Sequence, residues 1–273
     1  MAMDDERFAL LVRDLAAESA DLVAVLGALS SAQWTLATPA EGWTIHDQVV
    51  HLAYFDDLAI LGLTRPDEFR VTVDALRATG PDWVDQVNRQ RTMLSPAETQ
   101  GWFTRSRAAL GRVFAEAGPT ARSPWIGPPM SAASAVTARL METWAHGQDI
   151  YDALGREHPV TASVRHICHL GVLTRGYAFT QRGLPAPRSD VRVELLGPSG
   201  ELWTWGATDA TDRVTGTAND FALVVTQRRH PADTTLAATP GAAEDWLAIA
   251  QAFAGAAGDG RRPGQFTDDE GLL

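Results

Sequence analysis

The sequence predicts a mainly α-helical protein, with an N-terminal four-helix bundle at residues 1–156 and a smaller α+β domain at residues 157–273. Four long segments before Gly155 carry apolar residues at helical spacing, and the connections between them differ greatly in length. After Gly155 the pattern changes to one further helix and then to short stretches in which apolar and polar residues alternate. A chain of 273 residues with 45 % apolar residues is long enough to bury a core in each domain.

The helices of the bundle are predicted from their apolar spacing and from their capping residues. Long helices are predicted at 5–29, 44–63, 95–116 and 131–154, and shorter ones near 69–77 and 82–92. Thr44 with Asp47, and Ser95 with Glu98, have the three-residue spacing of reciprocal N-terminal caps. Gly155 is placed to end the last helix of the bundle.

The second domain is predicted to contain both helices and strands. A helix is expected at 161–182, antiparallel strands at 191–197, 201–207 and 212–217, and further helices near 218–228 and 239–253. The tail after Gly255 has few apolar residues, so we expect it to be extended or mobile.

Composition excludes several classes of function. A net charge of −11 argues against a nucleic-acid binder or a membrane-surface binder, because both need a basic face. No apolar run approaches about 18 residues, and the acidic N-terminus lacks the basic region of an export signal, so we expect a cytoplasmic protein. All 23 basic residues are arginine, which excludes Schiff-base chemistry and phosphate loops that need a lysine. The single cysteine, Cys168, excludes an intramolecular disulfide.

Three side chains of the bundle form a candidate metal site. Glu142 and His146 lie four residues apart on the last bundle helix and therefore share a face, while His51 lies on the second helix. Together they could form a three-ligand site that faces the bundle interior and leaves a coordination position open. Spacing alone leaves other interpretations open, because a Glu–His pair is often a surface hydrogen bond and a single histidine is often part of the core.

A rival cluster lies in the second domain, at His166, Cys168 and His169. Only the two histidines of this cluster share a helical face, so it fits a metal less well than the bundle residues do.

The bundle residues also resemble a known family. The run Leu29…Trp34…Pro39…Gly42-Trp43…His46…His51-Leu52, followed by Glu142…His146-Gly147…Asp149…Asp152-Ala153-Leu154-Gly155, resembles the DinB-like superfamily. Within that superfamily it looks like the mycothiol-dependent maleylpyruvate isomerase-like branch. The resemblance covers residues 5–155 in detail, and the second segment resembles the small sterol-carrier-protein-like α+β domain that this branch carries.

The resemblance implies that His51, Glu142 and His146 hold a divalent metal, usually zinc, together with one or more waters. It also implies a low-molecular-weight thiol as cosubstrate, which is mycothiol in actinobacteria. A thiol bound to zinc loses its proton at neutral pH, and the thiolate could isomerise a small electrophilic substrate or be transferred onto it. Two alternatives stay open, namely a non-catalytic metal-binding stress or binding module and a metal-dependent hydrolase. We expect small-molecule partners, without nucleic acid or membrane.

Four further residues are secondary candidates. Asp47 or Asp149 could accept the free imidazole N–H of a metal-ligating histidine and fix its tautomer, although Asp47 also suits the capping role. Arg228 and Arg229 could clamp a substrate carboxylate as catalytic-site residues, although they also suit a solvent-exposed helix end.

Overall fold

The computed structural model describes residues 4–266. The chain divides into two compact units between His158 and Pro159, two residues beyond the boundary predicted from the sequence. Each helix within the described range is too short or too polar to serve as a membrane span.

The first unit is a four-helix bundle with two additional short helices. Its helices are α1 (Asp5–Gly27), α2 (Ile45–Thr64), α3 (Pro66–Arg77), α4 (Trp83–Arg91), α5 (Pro96–Ala117) and α6 (Ala132–Ala153). Helices α1, α2, α5 and α6 pack together as the bundle, while α3 and α4 pack on α2. Two strands that the sequence did not predict, β1 (Arg122–Ser123) and β2 (Met130–Ser131), pair in the loop before α6.

The predicted caps of α2 and α5 are confirmed. The Asp47 carboxylate accepts from the Thr44 backbone N–H at 2.9 Å, and the Thr44 hydroxyl accepts from the Asp47 backbone N–H at 3.3 Å. Ser95 and Glu98 form the same reciprocal pair at the start of α5. These caps fix where each helix begins, and therefore which side chains of α2 face the bundle interior.

The bundle interior combines an apolar core with a buried ionic cluster. Large side chains that include Leu22, Trp34 and Phe103 are buried between the helices. Near them, the Asp56 carboxylate lies 2.9 Å from Arg107 Nε and 3.0 Å from Arg139 Nη2, so one acid on α2 ties α5 and α6 together. The three side chains are 0–7 % exposed.

The second unit is α+β, which confirms the predicted fold class. Its elements are α7 (Val164–Leu173), α8 (Arg175–Gln181), β3 (Val191–Leu196), β4 (Leu202–Trp205), β5 (Asp212–Thr217), α9 (Ala218–Val225), β6 (Ala237–Ala238) and α10 (Ala242–Leu247). The four strands form one sheet in the order β4-β3-β5-β6. Helix α9 packs against α7 and against the two central strands.

The single helix predicted at 161–182 is wrong, because two helices meet at Thr174 instead. The Thr174 hydroxyl donates to the carbonyls of Leu170 and Gly171 at 2.9 and 3.2 Å, which closes the last turn of α7. Ser and Thr side chains that bond back to the preceding turn compete with the regular helix ladder.

The prediction that all three long strands pair in an antiparallel manner is also wrong. β3 and β4 are antiparallel, but β5 pairs with β3 in parallel. The chain makes this crossing after β4 at Gly206, which has a φ of +82°. A Cβ atom there would lie 2.2 Å from the Val191 carbonyl oxygen, so only glycine allows so close an approach.

The described part of the C-terminal tail, after Gly255, has no helix or strand, but it contacts the rest of the second unit. Arg182 donates to the Gly258 carbonyl at 2.7 Å, and the Gly264 N–H donates to the Asp233 carboxylate at 2.8 Å. The remainder of the tail predicted to be extended or mobile, 267–273, lies outside the described residues.

Candidate metal centre

Helices α2 and α6 bring the three predicted ligands together. His146 Nε2 lies 3.1 Å from Glu142 Oε2, and His51 Nε2 lies 3.7 Å from the same oxygen. One ligand atom from each residue falls within 4.8 Å of the other two. The two histidine side chains are 11 % exposed and the Glu142 side chain is 22 % exposed, so the cluster is shielded but reachable.

The charges of the cluster suit a cation. Although burial by itself raises the pKa of the Glu142 carboxyl, its hydrogen bonds with His146 and His51 hold that pKa well below its usual value. Burial lowers the pKa of His51 to about 4; the neighbouring His146 acts in the same direction, and Glu142 opposes it. At neutral pH the cluster therefore offers a carboxylate and a neutral imidazole, which are the protonation states that metal binding requires.

Gln48 fixes the orientation of His146. Its side-chain oxygen contacts His146 Nδ1, which leaves Nε2 facing Glu142. Its side-chain nitrogen donates to the Thr38 hydroxyl at 2.8 Å, which sets the direction of the amide. A hydrogen bond to the second ring nitrogen is the usual support of a metal-ligating histidine, because it selects the tautomer.

This arrangement corrects one secondary prediction. Asp47 does not support an imidazole, because its carboxylate is engaged in the cap at Thr44. His51 Nδ1 is buried and has no hydrogen-bond partner within the described part of the chain. Asp149 is fully buried on α6, and its predicted role beside the ligands stays a prediction.

Two aromatic side chains cover the imidazoles. The Trp43 ring stacks on His146 with centroids 5.9 Å apart and lies 5.1 Å from His51, while the Phe55 ring lies 4.3 Å from His51. The Trp43 indole N–H donates to the Asp85 carboxylate on α4 at 3.0 Å. His51 is thus packed against two aromatic rings, while its Nδ1 is without a hydrogen-bond partner among the described residues.

Sequence reasoning missed Gln48, Trp43 and Asp85 as parts of the site. Helical spacing gives a signal for Gln48, because it precedes His51 by three residues on α2. The contact between Trp43 and Asp85 joins two segments 42 positions apart, and local spacing contains no signal for it.

The ligand atoms of the rival cluster in the second unit do not converge in the described structure. Among the described residues, the bundle triad is the one group of His, Cys, Asp or Glu side chains whose ligand atoms converge. Cys168 is completely buried and its Sγ donates to the Ala218 carbonyl, while His169 Nδ1 accepts from the Trp205 indole. Burial raises the pKa of the Cys168 thiol far above its usual value, so the chain has no thiolate of its own.

The two arginines proposed as a substrate clamp follow α9 in the second unit. Arg228 donates to the Thr226 carbonyl and Arg229 donates to the Arg228 carbonyl, both at 2.7 Å. The Arg229 guanidinium also lies 3.7 Å from the centre of the Phe266 ring. Their predicted role as a clamp stays a prediction.

A divalent cation fits the bundle triad. Two imidazole nitrogens and one carboxylate oxygen form a donor set typical of zinc, and nickel, manganese and iron accept it as well. The orientation of His146, with Nε2 facing Glu142, and the ionised Glu142 already suit such a cation. Three protein ligands leave room for an exogenous group.

Comparisons with known proteins identify relatives of this chain. Residues 15–151 match the family model described as the mycothiol maleylpyruvate isomerase N-terminal domain. Two relatives from strains of Mycobacterium tuberculosis, both uncharacterised, are 47 % identical over 253 residues and cover 92 % of this chain and 97 % of their own.

Two solved structures share the fold. One is the mycothiol-dependent maleylpyruvate isomerase, with a TM-score of 0.55, 15 % identity and coverage of 88 % of this chain and 94 % of its own. The other is a histidine-to-alanine variant of that isomerase, with a TM-score of 0.58, 16 % identity and coverage of 86 % and 93 %. At these identities the likeness shows the fold alone. The family match over half of the chain carries the assignment, and the protein belongs to the mycothiol maleylpyruvate isomerase N-terminal domain family.

Proposed function

We propose that this protein is a metal-dependent enzyme that uses a small thiol of the mycothiol type. The enzyme either isomerises a small electrophilic substrate with the help of this thiol or transfers the thiol onto the substrate. The observation that carries the proposal is the convergence of His51, Glu142 and His146 on one point of the bundle interior. The family assignment supports an isomerase that depends on a thiol cosubstrate.

The proposed ligands would supply two nitrogens and one oxygen to the cation, which we propose to be zinc. When bound, a zinc ion lowers the pKa of a thiol, and a thiolate can add to an activated double bond and permit its rotation. The chain cannot supply this thiol itself, because its single cysteine, Cys168, is buried and burial raises the pKa of its thiol far above the usual value.

The residues of the chain then have separate tasks. Glu142 brings a negative charge that offsets the cation, and Gln48 keeps the proton of His146 on Nδ1, away from the ligand atom. Trp43 and Phe55 cover the imidazoles with apolar rings and limit the approach of bulk water. Exclusion of water strengthens the electrostatic contacts inside such a site.

The first experiment is elemental analysis of the purified protein and of the variants His51→Ala and His146→Ala. We expect about one metal ion per chain in the unaltered protein and a loss of that ion in both variants, with helical circular dichroism retained. His46→Ala is the matched control, because His46 lies on the same helix but bonds to Thr99 at 2.7 Å. Stoichiometric metal in both ligand variants would overturn the site.

A second experiment tests the thiol. Mycothiol is titrated into the zinc-loaded protein, and the products formed from maleylpyruvate are followed by NMR. Recovery of the thiol with a cis-to-trans change identifies an isomerase, whereas consumption of the thiol in an adduct identifies a transferase. A zinc-loaded protein that binds no thiol would contradict the proposal and favour a metal-binding module.

A further inference from the structure

Three polar contacts follow one another along the line where α2 meets α6, and the candidate ligands form the middle one. At one end the Gln48 side-chain oxygen contacts His146 Nδ1, and next to it His51 Nε2 lies 3.7 Å from Glu142 Oε2. The third contact is made by Arg139, which precedes Glu142 by three residues and therefore shares its face of α6. Successive contacts move forward along α2 and backward along α6, as in a pair of antiparallel helices.

The Arg139 guanidinium binds α2 at two points. Its Nη2 donates to the Leu52 carbonyl at 3.2 Å, and its Nε donates to the Asp56 carboxylate at 3.0 Å. The Arg139 side chain is 2 % exposed and the Asp56 side chain is fully buried, so water competes little with these contacts. Because Leu52 directly follows His51 in the chain, one of the two contacts holds the backbone next to a candidate ligand.

The register of α2 against α6 decides whether the three ligands converge. Glu142 and His146 lie one turn apart on the same helix, so α6 alone sets their spacing. His51 comes from α2, and its distance from Glu142 depends on how the two helices are placed against each other. A metal site needs its ligands held within about 0.5 Å, so a small sliding of one helix is enough to disturb it.

We propose that Arg139 is a positioning residue of the metal centre. By binding two points of α2, it holds this helix in the register that brings His51 to Glu142 on α6. Arg139 acts indirectly, through the Leu52 carbonyl and the Asp56 carboxylate. This inference rests on the metal centre of the proposed function and adds a residue to its support.

The charge of Arg139 has the opposite effect on a cation. Burial is the main cause of the low pKa of His51, and the positive charge of Arg139 lowers that pKa further. The same charge repels a cation bound at the triad. Removal of Arg139 would therefore strengthen metal binding if charge were its whole effect, whereas loss of the register weakens metal binding. The direction of the change separates the two roles.

Arg107 offers a matched control within the same ionic cluster. Its Nε lies 2.9 Å from the second carboxylate oxygen of Asp56, and its side chain is 7 % exposed. Arg107 belongs to α5, which carries none of the three ligands. Because two arginines share one aspartate, either can be replaced while the other still pairs with Asp56. Arg139→Met and Arg107→Met thus remove the same charge, but only Arg139→Met removes the contact between α2 and α6.

Titration of the full, metal-free protein with Co²⁺ tests the proposal. Co²⁺ accepts the same donor atoms as zinc, and its visible absorption spectrum depends on the coordination geometry. We expect Arg139→Met to weaken Co²⁺ binding by about tenfold, as for other residues that support metal ligands. Its spectrum should also change, because His51 is displaced; a general loss of stability would not alter the spectrum of the folded, loaded protein. Arg107→Met should keep the affinity and the spectrum of the unaltered protein.

Two results would overturn the positioning role. One is unchanged or tighter Co²⁺ binding by Arg139→Met with an unchanged spectrum. The other is equal weakening in Arg139→Met and Arg107→Met, because the loss would then come from the ionic cluster as a whole. If Arg139→Met loses its helical circular dichroism, Arg139→Gln decides by the same comparison.

The same titration separates this proposal from the metal centre on which it rests. Absence of Co²⁺ binding by the unaltered protein would overturn the metal centre and the role of Arg139 with it. Binding that is lost in His51→Ala but kept in full by Arg139→Met would leave the metal centre intact and contradict the positioning role alone.

Discussion

At the scale of single residues, the supporting role of Gln48 is the most direct prediction of the metal centre. Gln48→Leu keeps the size of the side chain but removes the contact with His146 Nδ1. We expect zinc affinity to fall by about 10–100-fold, as for other residues that orient a metal-ligating histidine. Competition with a chromophoric chelator measures this change.

Gln100→Leu is the control for that variant. Gln100 is also a glutamine of the bundle, but its side chain donates to the Val23 carbonyl between α5 and α1. The control should bind zinc as the unaltered protein does. Equal affinity in Gln48→Leu and in the unaltered protein would show that the ring packing of Trp43 and Phe55 alone orients the imidazoles.

The three candidate ligands stand out in the sequence by their residue type, whereas Gln48 has only its helical spacing from His51 as a signal. Histidine and glutamate are metal-binding residue types, and four-residue spacing places Glu142 and His146 on one face of a helix. An amide is not distinctive in this way, and Gln48 acquires its role only through Thr38, which lies on the segment before α2.

At the scale of helices, the buried ionic cluster of Asp56, Arg107 and Arg139 links α2 to α5 and α6. Asp56→Ala leaves two guanidinium groups without their counter-ion in the bundle interior. Breaking a buried ion pair on one side costs about 3–5 kcal/mol, so we expect a loss of that order in the free energy of unfolding. Chemical denaturation measures it.

Asp67→Ala provides the comparison, because the Asp67 side chain is 96 % exposed and pairs with Arg70 on the surface of α3. That variant should change stability little, since an exposed ion pair is screened by water. A similar decrease in the free energy of unfolding in both variants would mean that the buried ion pairs of Asp56 stabilise the protein no more than an exposed pair does.

At the scale of the sheet, the parallel pairing of β3 with β5 depends on Gly206. Gly206→Ala places a Cβ against the Val191 carbonyl oxygen and also strains a backbone with positive φ. Gly200→Ala has a similar φ of +86°, but nothing lies within 4 Å of the added Cβ. Strain alone costs of order 1–3 kcal/mol, so we expect Gly206→Ala to lose clearly more stability than Gly200→Ala. Equal losses in thermal unfolding would show that the crossing tolerates a side chain.

At the scale of the whole molecule, the long helices of the bundle were predicted well, whereas the helices of the second unit were predicted less well and the strand pairing was not predicted. Capping residues such as Thr44 and Ser95 act within one turn, so the chain carries their signal locally. An alternating pattern identifies β5 as a strand, but it does not specify whether β5 pairs with β4 or with β3. That choice depends on the path of the chain past Gly206, which involves residues of two different strands.

The two units differ in what they contribute to the proposed function, and this leads to a prediction for a truncated chain. The ligands and the residues that support them all lie in the first unit, before Pro159; they are Thr38, Trp43, Gln48, His51, Asp85, Glu142 and His146. A chain of residues 1–158 is therefore expected to fold with strong helical circular dichroism and to bind one zinc ion. The fragment lacks Arg228 and Arg229, so its metal content is measured apart from the proposed clamp. The fragment contains all three ligands of the triad. If it folds but takes up no metal, the second unit is needed to complete the metal centre.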